Sequence, residues 1–204
     1  MNPKDQKVFL ASARGVGEIC TEWAKSNTPK GFCLTDSLAD SDIVFSLKYD
    51  KIFNNKIIKT KKCFNFHPAP LPKYRGWGLM SWLIINNERK AGVSLHEIDN
   101  EVDTGDIIEV REFLISNEDT AETIFDRTEI TLVKMFKDWY KDLLCGNFQS
   151  VPQKANEGKQ YRKSDLRKAK NLTKFVRAFE FSGKESAYYF NDKGEKKYLN
   201  YKSS

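Results

Sequence analysis

The sequence contains no run of about 18 consecutive apolar residues, so no segment is built to cross a membrane as a helix. Its first residues, MNPKDQKVFLASARG, lack the basic start and long apolar stretch of a secretory signal. The four cysteines, Cys20, Cys33, Cys63 and Cys145, are scattered without a C-x-x-C pair. That spacing argues against both a zinc site and a disulfide framework, and it fits a reducing, cytoplasmic setting. No G-x-x-x-x-G-K-[ST] occurs, which excludes a P-loop, and no G-x-S-x-G occurs, which excludes a hydrolase elbow. The segment ASARGVG, residues 11–17, follows a strand pattern and opens a helix pattern. Cys20 stands where a dinucleotide fingerprint needs its third glycine, and this argues against such a site.

The composition is otherwise that of an ordinary folded domain, with 40% hydrophobic and 30% charged residues over 204 positions, enough to bury a core. The formal charge of +6 is unevenly placed. Residues 1–150 carry 20 Lys and Arg against 22 Asp and Glu, whereas residues 151–204 carry 14 against 6. The positive excess therefore sits in the last quarter, which suits either a phosphate-bearing ligand or a solvated surface.

Hydrophobic patterning predicts strands over 7–12, 31–35, 42–47, 63–67, 93–98 and 107–115, with a short strand over 57–59. Helical spacing is expected over 15–26 and 79–87 and most clearly from a capping pair, Asp119 and Glu122, through Leu144 to a stop at Gly146. A short helix within 172–181 and a hairpin of 188–190 with 197–201 close the chain. Alternating strands and helices imply an α/β, Rossmann-like open and mostly parallel sheet with flanking helices. The reading divides the chain into a catalytic domain, 1–150, and a small basic α+β extension, 151–204. In such sheets ligands bind at the carboxyl ends of strands, at a topological switch point, which directs attention to His67.

The chain has two histidines. His96 lies inside a strand pattern and is expected to serve structure. His67 ends a strand and stands two residues after Asn65, so both side chains share one face. An amide and an imidazole side by side suit a developing oxyanion, and the imidazole also accepts a proton. The loop DNEVDTGD offers Asp99, Glu101, Asp103 and Asp106. It fails as a calcium loop, because Thr104 and Val110 occupy the positions of the required Gly and Glu. One of its carboxylates is better suited to orienting an imidazole.

FNFHPAPLPKYRGWG and AGVSLHEIDNEVDTGDII together resemble the formyltetrahydrofolate-dependent formyltransferase family, with its Asn-x-His, LP-x-x-RG and D-x-GDI pattern. The likeness spans roughly residues 42–144. The chain departs from the commonest form in Ala-Pro-Leu-Pro at 69–72, where many members carry Ser-Leu-Leu-Pro, and it is short between residues 35 and 42. The resemblance implies the formyltransferase fold, with 10-formyltetrahydrofolate as co-substrate and a primary amine as acceptor. It implies that Asn65 and His67 stabilise the oxyanion while Asp103 orients the histidine and helps move the proton. It places the folate against Ser46, Tyr49, Ile52, Asp99 and Val102.

For the amine, the resemblance is greatest to the sugar-nucleotide N-formyltransferases, through PLPKYRG and VRAFEFSGKESAYYF. It implies a nucleotide-linked aminosugar held by Tyr74, Arg75, Gly76, Trp77 and Arg177, a role in surface polysaccharide (lipopolysaccharide O-antigen) precursor synthesis, and a homodimer. Glycinamide ribonucleotide and methionyl-tRNA remain alternative acceptors at this point. So does a non-catalytic, nucleic-acid-binding relative that uses the basic, aromatic C-terminal part.

Overall fold

A computed structural model of the chain describes residues 5–12, 15–154, 157–168, 172–191 and 193–199. The first apolar run forms β1 (Gln6–Ser12), followed by α1 (Val16–Asn27), β2 (Phe32–Leu34) and β3 (Ile43–Leu47). A short helix, α2 (Asn55–Thr60), leads into β4 (Lys62–His67), and the proline-rich loop ends at β5 (Tyr74–Gly76) and α3 (Leu79–Ile85). Two long strands, β6 (Lys90–Glu97) and β7 (Ile107–Leu114), precede the long helix α4 (Ala121–Cys145). The remainder contributes β8 (Lys159–Tyr161), a 3-10 turn (Lys163–Lys168), α5 (Leu172–Ala178) and the strands β9 (Tyr188–Phe190) and β10 (Lys196–Tyr198).

The main sheet has the order β2-β1-β3-β4-β6-β7. β2, β1, β3 and β4 are parallel, whereas β6 and β7 join antiparallel. β3 is buried at every position, as a central strand covered on both faces requires. One face is covered by α1 and α4, whose apolar stripes meet Val8, Phe45 and Phe66 through Leu132, Phe136 and Tyr140. Phe136 stands edge-on to Trp23, Phe45 and Phe66 at 6.0, 5.9 and 5.7 Å, a favourable arrangement of ring quadrupoles. No helix among the described residues is long and apolar enough to cross a membrane.

Two sequence expectations change, and one ribbon is added. Residues 57–59, expected as a strand, lie in α2, because the Asn54 side chain accepts the Ile57 N–H at 3.0 Å and caps a helical turn. Ile57 and Ile58 still reach an apolar cluster with Phe9 and Phe53 from that turn. The cap of α4 is Thr120, not Asp119: its hydroxyl accepts the Thr123 N–H and the Thr123 hydroxyl accepts the Thr120 N–H. Asp119, one residue earlier, accepts the Ser116 N–H and pairs with Arg127 instead. Finally, β5 and β8 form a small parallel ribbon that the sequence did not signal.

The segment after Ser150 is laced to the elements before it. Val151 exchanges two backbone hydrogen bonds with Ile107, at 2.9 and 2.8 Å. The Glu122 carboxylate at the start of α4 accepts both the N–H and the hydroxyl of Ser182. The β9–β10 hairpin forms as expected, paired over 188–190 and 196–198, with residues 200 and 201 outside the described range.

Replacing Phe136 with Ala removes the ring that joins α4 to α1, β3 and β4. It should lower unfolding stability by about 3–5 kcal/mol, read from urea titrations. A loss below about 1 kcal/mol would show that the sheet is not keyed to α4 through this ring.

Candidate active site

The site begins with strand register. Parallel pairing sets Ser46 of β3 opposite Asn65 of β4, and antiparallel pairing sets Asn65 opposite His96 of β6. Three polar side chains thus form a row across the sheet, one strand apart. His67, two residues beyond Asn65, pairs with Ser94. The Ser94 hydroxyl accepts the Leu71 N–H and donates to the Ala69 carbonyl, which anchors the proline-rich loop after β4. Ala69 is fully buried there, and its side chain is absent from the cavity wall.

The loop between β6 and β7 brings Asp103 to this row. The DTGD sequence allows it for specific reasons. Asp103 adopts φ 58°, in the left-handed region that Asp tolerates better than most residues. A Cβ on Gly105 would stand 1.9 Å from the Glu97 carbonyl oxygen, so only glycine fits. Asp99 builds the turn, because its Oδ1 accepts the Thr104 hydroxyl and the Glu101 N–H.

Asp103 is the hub. Its Oδ1 lies 3.3 Å from Asn65 Nδ2, 3.3 Å from His67 Nδ1 and 3.7 Å from His96 Nε2. Its Oδ2 accepts the Gly76 N–H at 2.9 Å. Burial opposes its charge, but the neighbouring His67, the side-chain contacts with both histidines and the Gly76 N–H outweigh burial and hold the carboxyl well below the usual carboxylate range.

Acceptor chemistry fixes the protons around it. His96 Nδ1 lies 2.6 Å from the Glu97 carbonyl, which only accepts, so Nδ1 carries a proton and Nε2 receives the Asn65 amide at 3.1 Å. The Asn65 NH2 therefore points at two acceptors, His96 Nε2 and Asp103 Oδ1, and its orientation is set by both. His67 Nε2 donates to the Tyr74 carbonyl at 2.7 Å, which leaves Nδ1 facing Asp103. A proton arriving at Nδ1 meets a carboxylate that stabilises it. His96, expected to be structural, is thus part of the constellation; the pairing of β4 with β6 is the signal that reveals it.

These residues line a cavity of about 1010 Å³. Ser46, Tyr49, Ile52, Asp99 and Val102, the expected folate contacts, all border it, together with Asn65, His67, Asp103, Gly76 and Trp77. It opens at the carboxyl ends of β3 and β4, one strand beyond the β1/β3 point where the strand order reverses. Tyr49 and Phe53 stack at 5.3 Å on one wall, and Ile52 and Trp77 expose 81% and 55% of their surface. The opposite wall comes from Lys163, Ser164 and Leu166 and from residues 178–185.

Three expected substrate contacts lie elsewhere. Tyr74 is buried, stacked on Tyr161 at 4.9 Å, with its hydroxyl on Glu88. Arg75 directs its guanidinium to Gln153, and Arg177 is buried with Nη1 on the carbonyls of Ser116 and Asn117. Neither arginine borders the cavity. The cations that border the cavity, none of them expected from the sequence, are Lys48, Lys51, Lys163 and Lys184, the last 4.6 Å from the Phe181 ring.

The family model for formyl transferase matches residues 34–138, a stretch that contains Asn65, His67, His96 and Asp103. The chain belongs to the formyl transferase family. A sugar N-formyltransferase from Shewanella sp FDAARGOS_354 shares its fold with a TM-score of 0.85, at 19% identity over 98% of each chain. A 4-N formyltransferase from Francisella tularensis does so with a TM-score of 0.83, at 18% identity over 100% of each chain. An N-formyltransferase from Helicobacter canadensis, in complex with folinic acid and dTDP-3-aminofucose, gives a TM-score of 0.72 at 22% identity over 87% of this chain and 81% of that one. As a member of this family the chain is an enzyme. Burial pushes the Cys20 and Cys63 thiols up to about 12 and about 11, which keeps them protonated at neutral pH. None of the four cysteines borders the formyltransferase cavity.

The depressed Asp103 carboxyl adds stability at neutral pH that is lost as pH falls below its ordinary value of 3.8 toward the lower folded one. Urea titrations at descending pH should show the advantage of wild type over Asp103→Asn shrinking below that value. An advantage that grows on acidification would mean that Asp103 is not held as a carboxylate.

Proposed function

We propose that this enzyme transfers the formyl group of 10-formyltetrahydrofolate to the primary amine of a nucleotide-linked aminosugar. The carrying observation is the convergence of Asn65, His67 and Asp103 on one cavity large enough for two ligands. At about 1010 Å³ it reaches the upper end of the 300–1,000 Å³ usual for ligand pockets. The stacked Tyr49 and Phe53, with Ile52, Ile58 and Ile98, give an apolar wall that fits a flat pteridine. The bound donor supplies a formyl group on a nitrogen able to leave.

The residues divide the work. His67 directs its Nε2–H at the Tyr74 carbonyl and turns Nδ1 toward Asp103. As the amine nitrogen bonds to the formyl carbon, an unprotonated Nδ1 takes the proton the amine sheds, and Asp103 stabilises the resulting imidazolium. The Asn65 N–H that spans 3.3 Å to Asp103 makes a long bond, and a developing oxyanion is the stronger acceptor for it. When the donor's carbon–nitrogen bond breaks, the proton held on His67 goes to the departing nitrogen, so proton count and electron pairs balance. His96 keeps the Asn65 amide aimed by accepting its other hydrogen.

The nucleotide reading rests on the opposite wall. Lys163 and Lys184 provide cations for a diphosphate, in place of Arg177, and Trp77, Phe179 and Phe181 provide flat apolar surface. Lys163 has no ion pair among the described residues. The cofactor of the Helicobacter canadensis structure and its dTDP-3-aminofucose belong to the same ligand classes. A place in surface polysaccharide synthesis and a homodimeric, cytoplasmic enzyme complete the proposal.

Incubation with 10-formyltetrahydrofolate and a panel of nucleotide-linked aminosugars should yield a formylated product by mass spectrometry. Asn65→Ala, His67→Ala and Asp103→Ala should each lower kcat by about 100-fold or more with the fold retained. Lys163→Ala and Lys184→Ala should each raise KM for the sugar nucleotide by about tenfold and leave folate binding unchanged. Faster transfer to methionyl-tRNA or glycinamide ribonucleotide than to every aminosugar would overturn the acceptor and leave the transferase reading standing.

A further inference from the structure

Arg75 and Gln153 stand behind the active constellation, outside the cavity. Gln153 Nε2 donates to the Asp103 carbonyl at 3.1 Å and to the Gly105 carbonyl at 2.7 Å. Its Oε1 accepts from Arg75 Nε at 3.2 Å and from Nη2 at 2.7 Å. Carbonyls only accept and guanidinium only donates, so the amide has one orientation that satisfies every partner. Arg75 is followed by Gly76, whose N–H donates to Asp103 Oδ2. The contacts therefore close a ring: Arg75 to Gln153, Gln153 to the Asp103 backbone, the Asp103 side chain to Gly76, and Gly76 back along the chain to Arg75.

The surroundings are shaped for this ring. A Cβ on Gly158 would lie 2.6 Å from Arg75 Cζ and 2.8 Å from Nε, so the guanidinium rests against bare backbone. A Cβ on Gly76 would lie 2.3 Å from the Tyr161 carbonyl. The segment that delivers Gln153 is fixed on both sides, by the Val151–Ile107 pair before it and by β8 on β5 after it. Asp103 itself holds a left-handed backbone that surrounding contacts must maintain.

We propose that Gln153 and Arg75 are positioning residues: together they brace the backbone of Asp103 so that its carboxylate stays in register with His67 and Asn65, and Arg75 acts through Gln153 rather than on substrate. The kinetic part of the test rests on the formyl-transfer reading above; the structural part does not.

The informative variant is Gln153→Glu, nearly isosteric, which keeps an oxygen for Arg75 but loses both N–H donors. In the full-length protein, Gln153→Glu, Gln153→Ala and Arg75→Ala should lower kcat about 10- to 100-fold, the scale of a small misplacement in a site. KM for each substrate should stay within about twofold. The double variant should be no worse than the poorer single one, as expected for residues in one network. Without any substrate, hydrogen exchange should show faster loss of the Gly76 amide in both Gln153 variants, with the β3 amides as protected as in wild type. Unchanged Gly76 protection in both variants would overturn the brace whatever the rates do. A raised KM with unchanged kcat in Arg75→Ala would overturn its positioning role and make it a substrate contact. If wild type transfers no formyl group to any amine, the functional reading fails, and the Gly76 exchange still decides the brace.

Discussion

A carboxylate with 11% of its side chain exposed has to be solvated by the protein, and Asp103 imposes that requirement on everything near it. Its partners come from three strands: Asn65 and His67 from β4, His96 from β6, Gly76 from β5. Removing one partner of a buried charge costs about 3–5 kcal/mol, so the carboxylate ties the positions of these three strands to its own loop. The glycines follow from the same requirement. Gly105 lets the loop pass the Glu97 carbonyl, and Gly76 presents an N–H where a side chain would strike Tyr161. The polar groups around Asp103 are therefore organised before any ligand arrives, which is the condition under which electrostatic catalysis is effective.

The mixed sheet makes this organisation available. In the parallel part, a row of side chains at equal depth runs from Ser46 to Asn65. The antiparallel entry of β6 extends that row to His96 and gives a hairpin loop that returns Asp103 to the same face. A parallel strand in place of β7 would need a long crossover after β6 instead of this hairpin loop. The antiparallel β6–β7 hairpin is thus the topological feature that brings Asp103 to the row.

Asn65 and His67 were legible because they lie two apart on one strand, where period-two alternation sets their facing. Asp103 was legible only through family likeness, since a sequence does not say which of four neighbouring carboxylates turns inward; φ 58° at that residue is what selects it. The Rossmann-like sheet and α4 followed from apolar periodicity. The place of His96 beside Asn65 was not legible, because strand pairing, unlike strand existence, is not written in local pattern. The Ile57–Ile58 pair suggested strand by β-branching, and one Asn cap reversed that preference. Gln153 carried no signal at all, because its role depends on three segments far apart in the chain.

The charge of the C-terminal quarter shows why a count of cations does not find a ligand site. Arg177 is buried and directs Nη1 at backbone carbonyls, Lys196 and Lys197 pair with Glu185 and Glu195, and among the described cations of that segment Lys163 and Lys184 reach the cavity. The family match ends at residue 138. Every residue that touches Asp103 through its side chain lies before that point, whereas the cavity wall made by Lys163, Ser164, Leu166 and residues 178–185 lies after it. The cavity groups around Asp103 and the wall facing them thus come from different parts of the chain, and Gln153, which lies after the match, touches the Asp103 loop. A wall attached in this way can change shape and charge without disturbing the carboxylate, provided the Gln153 contacts persist. The same fold can then keep one transfer chemistry while the acceptor it admits is set by residues outside the shared part.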